Sequence, residues 1–358
     1  MSLQSWLGRT AAVCVLVGMG AGLASAQTAK KHAWAIQVHA GAGDIFRAQT
    51  SPELDAAERA KIAEAIQAGA AVLDKGGSSM DAVEAAIRIF EDATLFDTGR
   101  GAAFNDKGVV ELDAAIMNGK TLDVGSIAAV HNTKHPISLA RKVIEKSPHV
   151  LIVGEGADAF SREQGLEQAP QSYFFSEKQW ETLEQVLKEQ GKPIPPRPTG
   201  VPAAPKQQLA GLWSPHSRHY GTVGVVALDR EGNLAAGTST GGAMGKHAGR
   251  VGDSPIAGAG TYASNKSCAV SGTGVGEYFI RLGVAREVCN LIQYKGMTAQ
   301  QAADEVIHTE VESLKGVGGV IVETPDGQQA WSFNTPGMFR ARLREGGPLT
   351  VAIYNDEK

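Results

Sequence analysis

A proline-rich segment divides the chain into two parts of different character. Seven of its 15 prolines lie between Pro193 and Pro215, in a stretch without hydrophobic periodicity. Because proline lacks an amide donor and interrupts both helices and central strands, this stretch predicts an exposed linker, placed at about residues 192–221. Helical patterns dominate before it and strand patterns after it. Any fold for the chain must therefore accommodate a long exposed connection in front of a β-rich half.

The predicted elements favour an α+β fold. Strands at 222–228 and 233–240 flank the turn "DREG", and strands at 318–323 and 328–334 flank "TPDG", which are hairpin signals. Paired hairpins favour antiparallel sheet with helices on its faces over a parallel βαβ fold. Further strands are predicted at 33–43 and 269–272. Helices are predicted at 52–74, from Ser78 onward with Asp81 as its capping partner, and at 137–147, 177–190, 277–294 and 298–314.

Composition narrows the classes of partner. The chain has 358 residues, 43% of them hydrophobic, with a formal net charge of −4 at pH 7. That length is sufficient to bury a sizeable core. Since no block of Lys and Arg stands out, we expect neither nucleic acid nor a membrane surface as partner. No metal-ligand spacing of His and Cys is visible, so we expect no catalytic metal.

The first 26 residues have the layout of a secretory signal peptide. Arg9 precedes an apolar run from Ala11 to Leu23, and small residues from Ala24 to Ala26 end it. This pattern predicts cleavage before Gln27 and export to the periplasm or the medium. The apolar run is too short and too interrupted by glycine for a membrane anchor.

The cysteines of the exported chain are compatible with either a disulfide or free thiols. Cys14 lies in the signal peptide, which leaves Cys268 and Cys289 in the mature chain. An oxidising compartment would allow them to pair, but two cysteines do not make a disulfide framework. Their state stays open at this point.

A threonine stands at the start of the first strand after the linker. A threonine hydroxyl needs a base to become a nucleophile, and a free α-amine with a pKa of about 8 can be that base. Such an amine exists at Thr222 only after cleavage of the Gly221–Thr222 bond. Because Gly221 has no side chain, its carbonyl carbon is open to attack by the Thr222 hydroxyl. Thr222 is thus a candidate nucleophile. The alternative is a β-branched residue that simply opens a strand.

Two later loops carry candidate substrate-binding groups. In "GRVGDSP", Arg250 suits a carboxylate and Asp253 an ammonium group, so the pair can grip both ends of an amino acid. An ordinary surface ion pair is the alternative. In "SGTGVGE", the Thr273 hydroxyl and nearby backbone N–H groups can stabilise an oxyanion. Thr240, at the end of the strand at 233–240, has a hydroxyl of the kind that is usually structural.

Together these motifs resemble the plant-type asparaginase and isoaspartyl peptidase family. The resemblance rests on "GTVGVVALDREGNLAAGTSTGG", "GRVGDSPIAGAGTYA", "SGTGVGE", "VHAGAG" and "LFDTGRGAAFNDKGVVELDAAIMNG", and covers nearly all of the mature chain. It implies an N-terminal-nucleophile hydrolase with an αββα sandwich of two antiparallel sheets between helical layers. It also implies self-cleavage into an α chain (27–221) and a β chain (222–358) that stay together, an (αβ)₂ dimer, and a small-molecule or dipeptide substrate.

The resemblance also implies the catalytic roles. Thr222 is similar to the nucleophile, with its freed amine as general base, and Thr240 to the hydroxyl beside that nucleophile. Thr273 and Gly274 are similar to the oxyanion hole. The implied reaction is hydrolysis of a side-chain amide of L-asparagine or a β-aspartyl peptide through an acyl-enzyme.

Substrate and ion contacts are implied in the same way. Arg250 and Asp253 are similar to the clamp for the substrate's α-carboxylate and α-amino group, Gly276 to a backbone contact, and Thr273 and Gly274 also border the substrate. The family carries a structural sodium on backbone carbonyls, which maps to "FEDATLFDTGR". Its candidate ligands here are Phe90, Glu91, Ala93, Phe96, Thr98 and Arg100.

Two positions depart from the family pattern. Asp97 stands where asparagine is common, which would alter the local charge and slow processing or turnover. Ala40 replaces a glycine in "HAGAG". His39 in the same motif and Asp113 in "ELDAA" are interpreted as structural residues.

Two other functions are compatible with parts of this pattern. A glycosylasparaginase shares the fold, the nucleophile and the "GRVGDSP" clamp, although that branch is associated with "TIGM" where this chain has "TVGV". A non-catalytic exported amino-acid-binding protein would keep the clamp without the cleavage. A nucleotide-binding reading of "GTGVGE" is weaker, because no acidic ribose partner lies at the expected distance.

Overall fold

The computed structural model describes residues 32–201 and 219–357, with the side chains of residues 219 and 220 excepted. The predicted signal peptide (1–26) and the middle of the predicted linker (202–218) lie outside the described residues. The strands are β1 (Ala35–Gly43), β2 (Leu112–Asn118), β3 (Val124–Val130), β4 (Leu151–Val153), β5 (His219–Leu228), β6 (Leu234–Thr240), β7 (Thr261–Ala263), β8 (Ala269–Gly274), β9 (Gly318–Glu323), β10 (Gln329–Phe333), β11 (Gly337–Arg344) and β12 (Thr350–Tyr354). The helices are α1 (Pro52–Asp74), α2 (Ser79–Glu91), α3 (Pro136–Lys146), α4 (Gly154–Glu163), α5 (Gln171–Phe174), α6 (Glu177–Glu189), α7 (Gly276–Leu282), α8 (Val284–Lys295) and α9 (Ala299–Asp304), the last continued by a π-helix over Glu305–Val311. Within the described ranges no helix combines the length and the apolarity that a membrane crossing needs.

The strands form two sheets. The larger has the order β12-β11-β1-β5-β6-β2-β3-β4 and the smaller the order β10-β9-β8-β7. Neighbouring strands are antiparallel throughout both sheets except for β3 and β4, which run parallel at one edge. Strands from before and after the linker alternate in the larger sheet, since β5 and β6 lie between β1 and β2.

Three apolar clusters lie on the outer faces of the two sheets and between them. Helices α1, α2 and α3 pack on the outer face of the larger sheet, and α7, α8 and α9 on the outer face of the smaller one. Between the sheets a third cluster includes Val226 and Leu228 of β5, Ala236 of β6 and Ala269 of β8. The arrangement is the expected αββα sandwich, and burial of its apolar faces is the main force that stabilises it.

Several local predictions are confirmed and one helix is divided. α1 occupies the predicted range, and the Ser78 hydroxyl accepts a hydrogen bond from the Asp81 amide at the start of α2. The predicted helix over 277–294 is interrupted at Gly283, whose φ of 63° ends α7 and begins α8. Glycine adopts that left-handed conformation without the cost that a β-carbon imposes.

A disulfide joins the smaller sheet to its helical layer. Cys268, directly before β8, is bonded to Cys289 of α8, with 5.3 Å between their Cα atoms. Both residues are buried. The pairing that composition left open is therefore present, and it ties together two elements of the predicted β chain.

Candidate active site

The start of β5 brings three polar groups together. Thr222 is paired with Thr240 of β6, and alternation along both strands turns their side chains toward the space between the sheets. The Thr222 Oγ1 hydroxyl donates to Thr240 Oγ1 at 3.2 Å, and the Thr240 hydroxyl donates to the Gly221 carbonyl oxygen at 3.3 Å. The Gly242 amide donates to Thr240 Oγ1 at 2.9 Å. Thr240 therefore contacts both the hydroxyl of Thr222 and the carbonyl of the bond before it.

Asp97 lies directly against Gly221. A β-carbon on Gly221 would lie 2.1 Å from Cβ of Asp97 and 3.0 Å from its Oδ2, which explains why residue 221 has no side chain. Asp97 Oδ1 accepts a hydrogen bond of 2.6 Å from the Ala103 amide. Burial raises the pKa of Asp97 to about 7, and the charges of Lys246 and Arg250 oppose that rise. A carboxyl group that changes charge near neutral pH thus borders the candidate cleavage site.

Lys246 is a buried cation that the sequence interpretation missed. Its Nζ donates to the Glu111 carbonyl oxygen at 3.0 Å and lies 3.9 Å from the Glu111 carboxylate, and its side chain is 1% exposed. Its charge also opposes the burial-induced rise in the pKa of Asp113, whose Oδ1 accepts from the Ala129 amide. The glycine-rich context "GGAMGKHAG" was the available signal, because a lysine among small residues comes close to the backbone.

The candidate substrate clamp differs from its expected pairing. Asp253 is buried, burial raises its pKa to about 7, and its Oδ2 has no hydrogen-bond partner among the described residues. The guanidinium of Arg250 binds the carboxylate of Glu277 instead, with Nε–Oε1 at 3.0 Å and Nη2–Oε2 at 2.9 Å. Both candidate clamp residues border Gly276, where a β-carbon would lie 2.8 Å from Asp253 Oδ1 and 3.0 Å from Arg250 Nη2. Glu277 ends the motif "SGTGVGE", but the sequence did not indicate that it pairs with Arg250.

The candidate oxyanion residues lie at the end of β8. Thr273 is buried and paired with Gly319 of β9. Gly274 has a φ of 152°, and a β-carbon there would lie 2.4 Å from the Val317 carbonyl oxygen. The backbone can make this close approach only because the residue is glycine. The helix α7 begins two residues later, so backbone N–H groups gather at this end of the strand.

A buried polar network crosses from one sheet to the other beneath Thr222. His39 Nε2 lies 2.8 Å from Ser271 Oγ, and Ser271 Oγ lies 2.8 Å from Thr238 Oγ1. Burial lowers the pKa of His39 to about 3, and a hydrogen bond with the Thr222 backbone partly opposes this shift. The imidazole is therefore neutral at physiological pH and joins the two sheets through hydroxyl groups.

In the loop after α2, two glycines lie close to backbone carbonyl oxygens. β-Carbons on Gly99 and Gly101 would lie 2.1 Å from the Glu91 carbonyl oxygen and 2.0 Å from the Phe96 carbonyl oxygen. The Glu91 carboxylate is engaged elsewhere, accepting from Ser239 Oγ at 2.7 Å. Hard cations take oxygen ligands, and the carbonyl oxygens of Glu91 and Phe96 are of the donor type that a sodium ion takes.

Comparison with known proteins identifies the family. Residues 32–353 match the family described as asparaginase. The isoaspartyl peptidase of Salmonella typhimurium is 40% identical over 321 residues, which cover 90% of this chain and 98% of that protein. The isoaspartyl peptidase/L-asparaginase of Xenopus laevis is 38% identical, over 90% of this chain and 96% of its own length. The plant-type L-asparaginase of Pyrococcus furiosus is 40% identical, over 87% of this chain and 97% of its own length. The resemblance seen in the motifs is thereby confirmed, and this chain belongs to the asparaginase family of hydrolases with the N-terminal-nucleophile fold.

Proposed function

We propose that the chain cleaves itself at Gly221–Thr222 and then hydrolyses the side-chain amide of L-asparagine or of β-aspartyl peptides. The observation that carries this proposal is the series Thr222 Oγ1, Thr240 Oγ1 and Gly221 oxygen, linked at 3.2 and 3.3 Å in a member of this family. The names of its relatives, isoaspartyl peptidase and L-asparaginase, support the substrate class.

Self-cleavage begins with attack of the Thr222 hydroxyl on the Gly221 carbonyl carbon. The Thr240 hydroxyl already donates to that carbonyl oxygen, so it stabilises the negative charge that develops there. The C–N bond then breaks and the nitrogen takes the proton that the Thr222 hydroxyl has lost, leaving an ester between Gly221 and Thr222 that water hydrolyses. The products are a carboxylate at Gly221 and a free amine at Thr222.

Turnover repeats the same chemistry on an external amide. The new α-amine of Thr222 accepts the hydroxyl proton as Oγ1 attacks the substrate's side-chain carbonyl, and passes it to the departing amine or ammonia. Thr273 and Gly274 stabilise the tetrahedral oxyanion, where the loss of one donor typically costs roughly 100- to 1000-fold in rate. Water then releases aspartate from the acyl-enzyme.

Arg250 and Asp253 hold the amino-acid end of the substrate, beside Gly276. Arg250 supplies N–H donors for the α-carboxylate. The unpartnered Oδ2 of Asp253 supports binding of the α-ammonium group, because a buried carboxylate gains most from a charged partner. A substrate ammonium would favour the ionised form of Asp253 and so lower its pKa from the value of about 7.

The two cleavage products stay associated in this proposal. β5 and β6 of the β chain lie between β1 and β2 of the α chain, so hydrogen-bond ladders join the two chains on both sides.

Assembly into an (αβ)₂ dimer rests on the family resemblance, and light scattering of the cleaved protein tests it. Carbonyl oxygens of the loop from Phe90 to Arg100 would hold a structural sodium, which would take no part in a chemical step.

Export is proposed from the signal-peptide pattern at residues 1–26. The Cys268–Cys289 disulfide supports it, because disulfides persist in oxidising compartments such as the periplasm. Amino-terminal sequencing of the mature α chain tests the prediction. A chain that begins at Gln27 supports export, and one that begins at Met1 contradicts it.

Substrate assays test the proposed activity. Purified protein is given L-asparagine, a β-aspartyl dipeptide and a glycoasparagine in parallel, with Thr222→Ala as the inactive control. Release of aspartate from either of the first two, and only by the wild type, supports the proposal. Preference for glycoasparagine would make the protein a glycosylasparaginase. Binding of L-aspartate without turnover of any substrate would make it a binding protein.

A further inference from the structure

Glu277 occupies one edge of the Arg250 guanidinium. The two hydrogen bonds, from Nε to Oε1 and from Nη2 to Oε2, form a bidentate pair between groups 27 residues apart in sequence. Hydrogen bonding from Arg250 lowers the pKa of Glu277, so the carboxylate is ionised at neutral pH. Such fork-to-fork pairs fix orientation as well as distance, because both groups are planar.

The opposite edge of the same guanidinium faces three glycines. β-Carbons would lie 2.8 Å from Nη1 at Gly252, 3.4 Å from Nη1 at Gly242 and 3.0 Å from Nη2 at Gly276. Side chains at these positions would therefore fill the space beside Nη1 and Nη2. A guanidinium carries five N–H donors, and Glu277 uses two of them. The remaining donors are the N–H groups of Nη1 and the second N–H of Nη2. They face the backbone of the three glycines.

This glycine-lined edge lies next to Asp253. A β-carbon built on Gly276 would lie 2.8 Å from Asp253 Oδ1 and 3.0 Å from Arg250 Nη2. The carboxyl and the guanidinium therefore border the same small space. Glu277 is also three residues beyond Gly274 in the chain, at the start of α7. The Arg250–Glu277 pair consequently joins the loop that carries the clamp to the strand end that carries the candidate oxyanion residues.

We propose that Glu277 is a positioning residue for substrate recognition, which holds Arg250 so that its Nη1–Nη2 edge meets the α-carboxylate of the substrate. This inference rests on the proposed function. An unpaired arginine side chain has several rotamers, and fixing it only when substrate binds costs conformational entropy. The pair with Glu277 orders the side chain before binding.

The pair contributes little to stability, and this separates positioning from a structural role. The Glu277 side chain is 58% exposed, and exposed ion pairs usually add little to the free energy of unfolding. Loss of Glu277 should therefore change substrate binding while leaving the melting temperature and self-cleavage nearly unchanged. A competing role for Glu277, in which its carboxylate blocks the site that the substrate needs, predicts the opposite sign for the change in KM.

Glu277→Gln and Glu277→Asp test the proposal, with Glu145→Gln as the control. Glu145 accepts from Arg141 at 2.8 Å in a comparable ion pair on α3. The assays are steady-state hydrolysis of L-asparagine and calorimetric binding of its product L-aspartate, which carries the same α-carboxylate. Glu277→Gln is expected to raise KM and the L-aspartate Kd about tenfold with kcat changed much less, because misplacement of a binding group is costly. Glu277→Asp should restore part of the loss.

Arg250→Lys supplies the double-variant comparison. Since Glu277 acts through the guanidinium, Glu277→Gln should have no further effect on the L-aspartate Kd when residue 250 is lysine. An unchanged or lower KM and Kd in Glu277→Gln would overturn the proposal, as would an equal tenfold effect in the lysine background. A wild type without turnover that still binds L-aspartate would refute the proposed function alone, and the binding comparison would still decide the role of Glu277.

Discussion

Replacement of Asp97 by asparagine should stabilise the folded chain in a pH-dependent way. The pKa of this carboxyl is raised from 3.8 to about 7 in the fold, chiefly by burial. Well below the ordinary pKa of 3.8 the group is protonated in both the folded and unfolded states and contributes no penalty. As the pH rises toward 7 the unfolded chain loses the proton while the folded chain retains it, and the free energy of unfolding falls.

The size of this effect follows from the difference between the two pKa values. Each pKa unit corresponds to about 1.4 kcal/mol. The higher pKa of Asp97 in the folded state therefore lowers the free energy of unfolding by about 4 kcal/mol at pH 8 and by about 2 kcal/mol at pH 5. Asparagine carries no charge at either pH and keeps an oxygen for the Ala103 amide, which now donates to Asp97 Oδ1 at 2.6 Å. The stabilisation by Asp97→Asn should therefore be about 2 to 3 kcal/mol larger at pH 8 than at pH 5.

Urea unfolding at the two pH values measures this difference. Both variants carry Thr222→Ala, so that each unfolds as one uncleaved chain, and the exposed Asp123→Asn serves as the control. Equal effects of Asp97→Asn at pH 5 and pH 8, or a loss of stability at pH 8, would show that the raised pKa of Asp97 does not destabilise the fold. With Thr222 present, Asp97→Asn should also accelerate self-cleavage, because the charge beside Gly221 is removed.

Three further changes have distinct expected outcomes. Arg250→Ala should greatly lower kcat/KM while self-cleavage proceeds normally; unchanged kcat/KM would exclude the clamp role. Gly224→Ala should cost about 2 kcal/mol of stability, because its methyl group would lie within 2.3 Å of two buried polar side chains, whereas Gly156→Ala, with its nearest atom at 3.9 Å, should stabilise helix α4 slightly. Equal melting temperatures for these two variants would contradict the packing argument. Cys268→Ala with Cys289→Ala should lower the free energy of unfolding by about 3 kcal/mol, from the loop entropy of a 21-residue separation, and an unchanged urea midpoint would contradict this estimate.

Local sequence rules predicted the elements whose signals are local. α1 and α6 occur within one residue of their predicted ends, since capping residues and 3.6-residue periodicity lie inside the helices themselves. The two predicted hairpins are present as β5–β6 and β9–β10. The strands β3 and β12 were not predicted, because their pairing with distant neighbours decides their conformation more than their composition does.

The sequence selected candidate site residues by their side-chain chemistry, but not the residues that they contact. The motifs made Arg250 and Asp253 candidates, yet the partner of Arg250 is Glu277 on a different element, and no local spacing encodes that pair. The burial of Lys246 likewise depends on packing against Glu111, more than 100 residues earlier. Contacts of this kind arise from the way the sheets stack, which the hydrophobic pattern of either strand alone does not determine.

Self-cleavage would make Thr222 a new amino terminus without the help of another protease. Intact-mass measurement with amino-terminal sequencing of purified wild type and Thr222→Ala detects this cleavage. We expect two wild-type chains, one of which begins at Thr222, and a single uncleaved chain for the variant. A wild-type chain that stays whole, or a Thr222→Ala chain that is cleaved at the same bond, would contradict it.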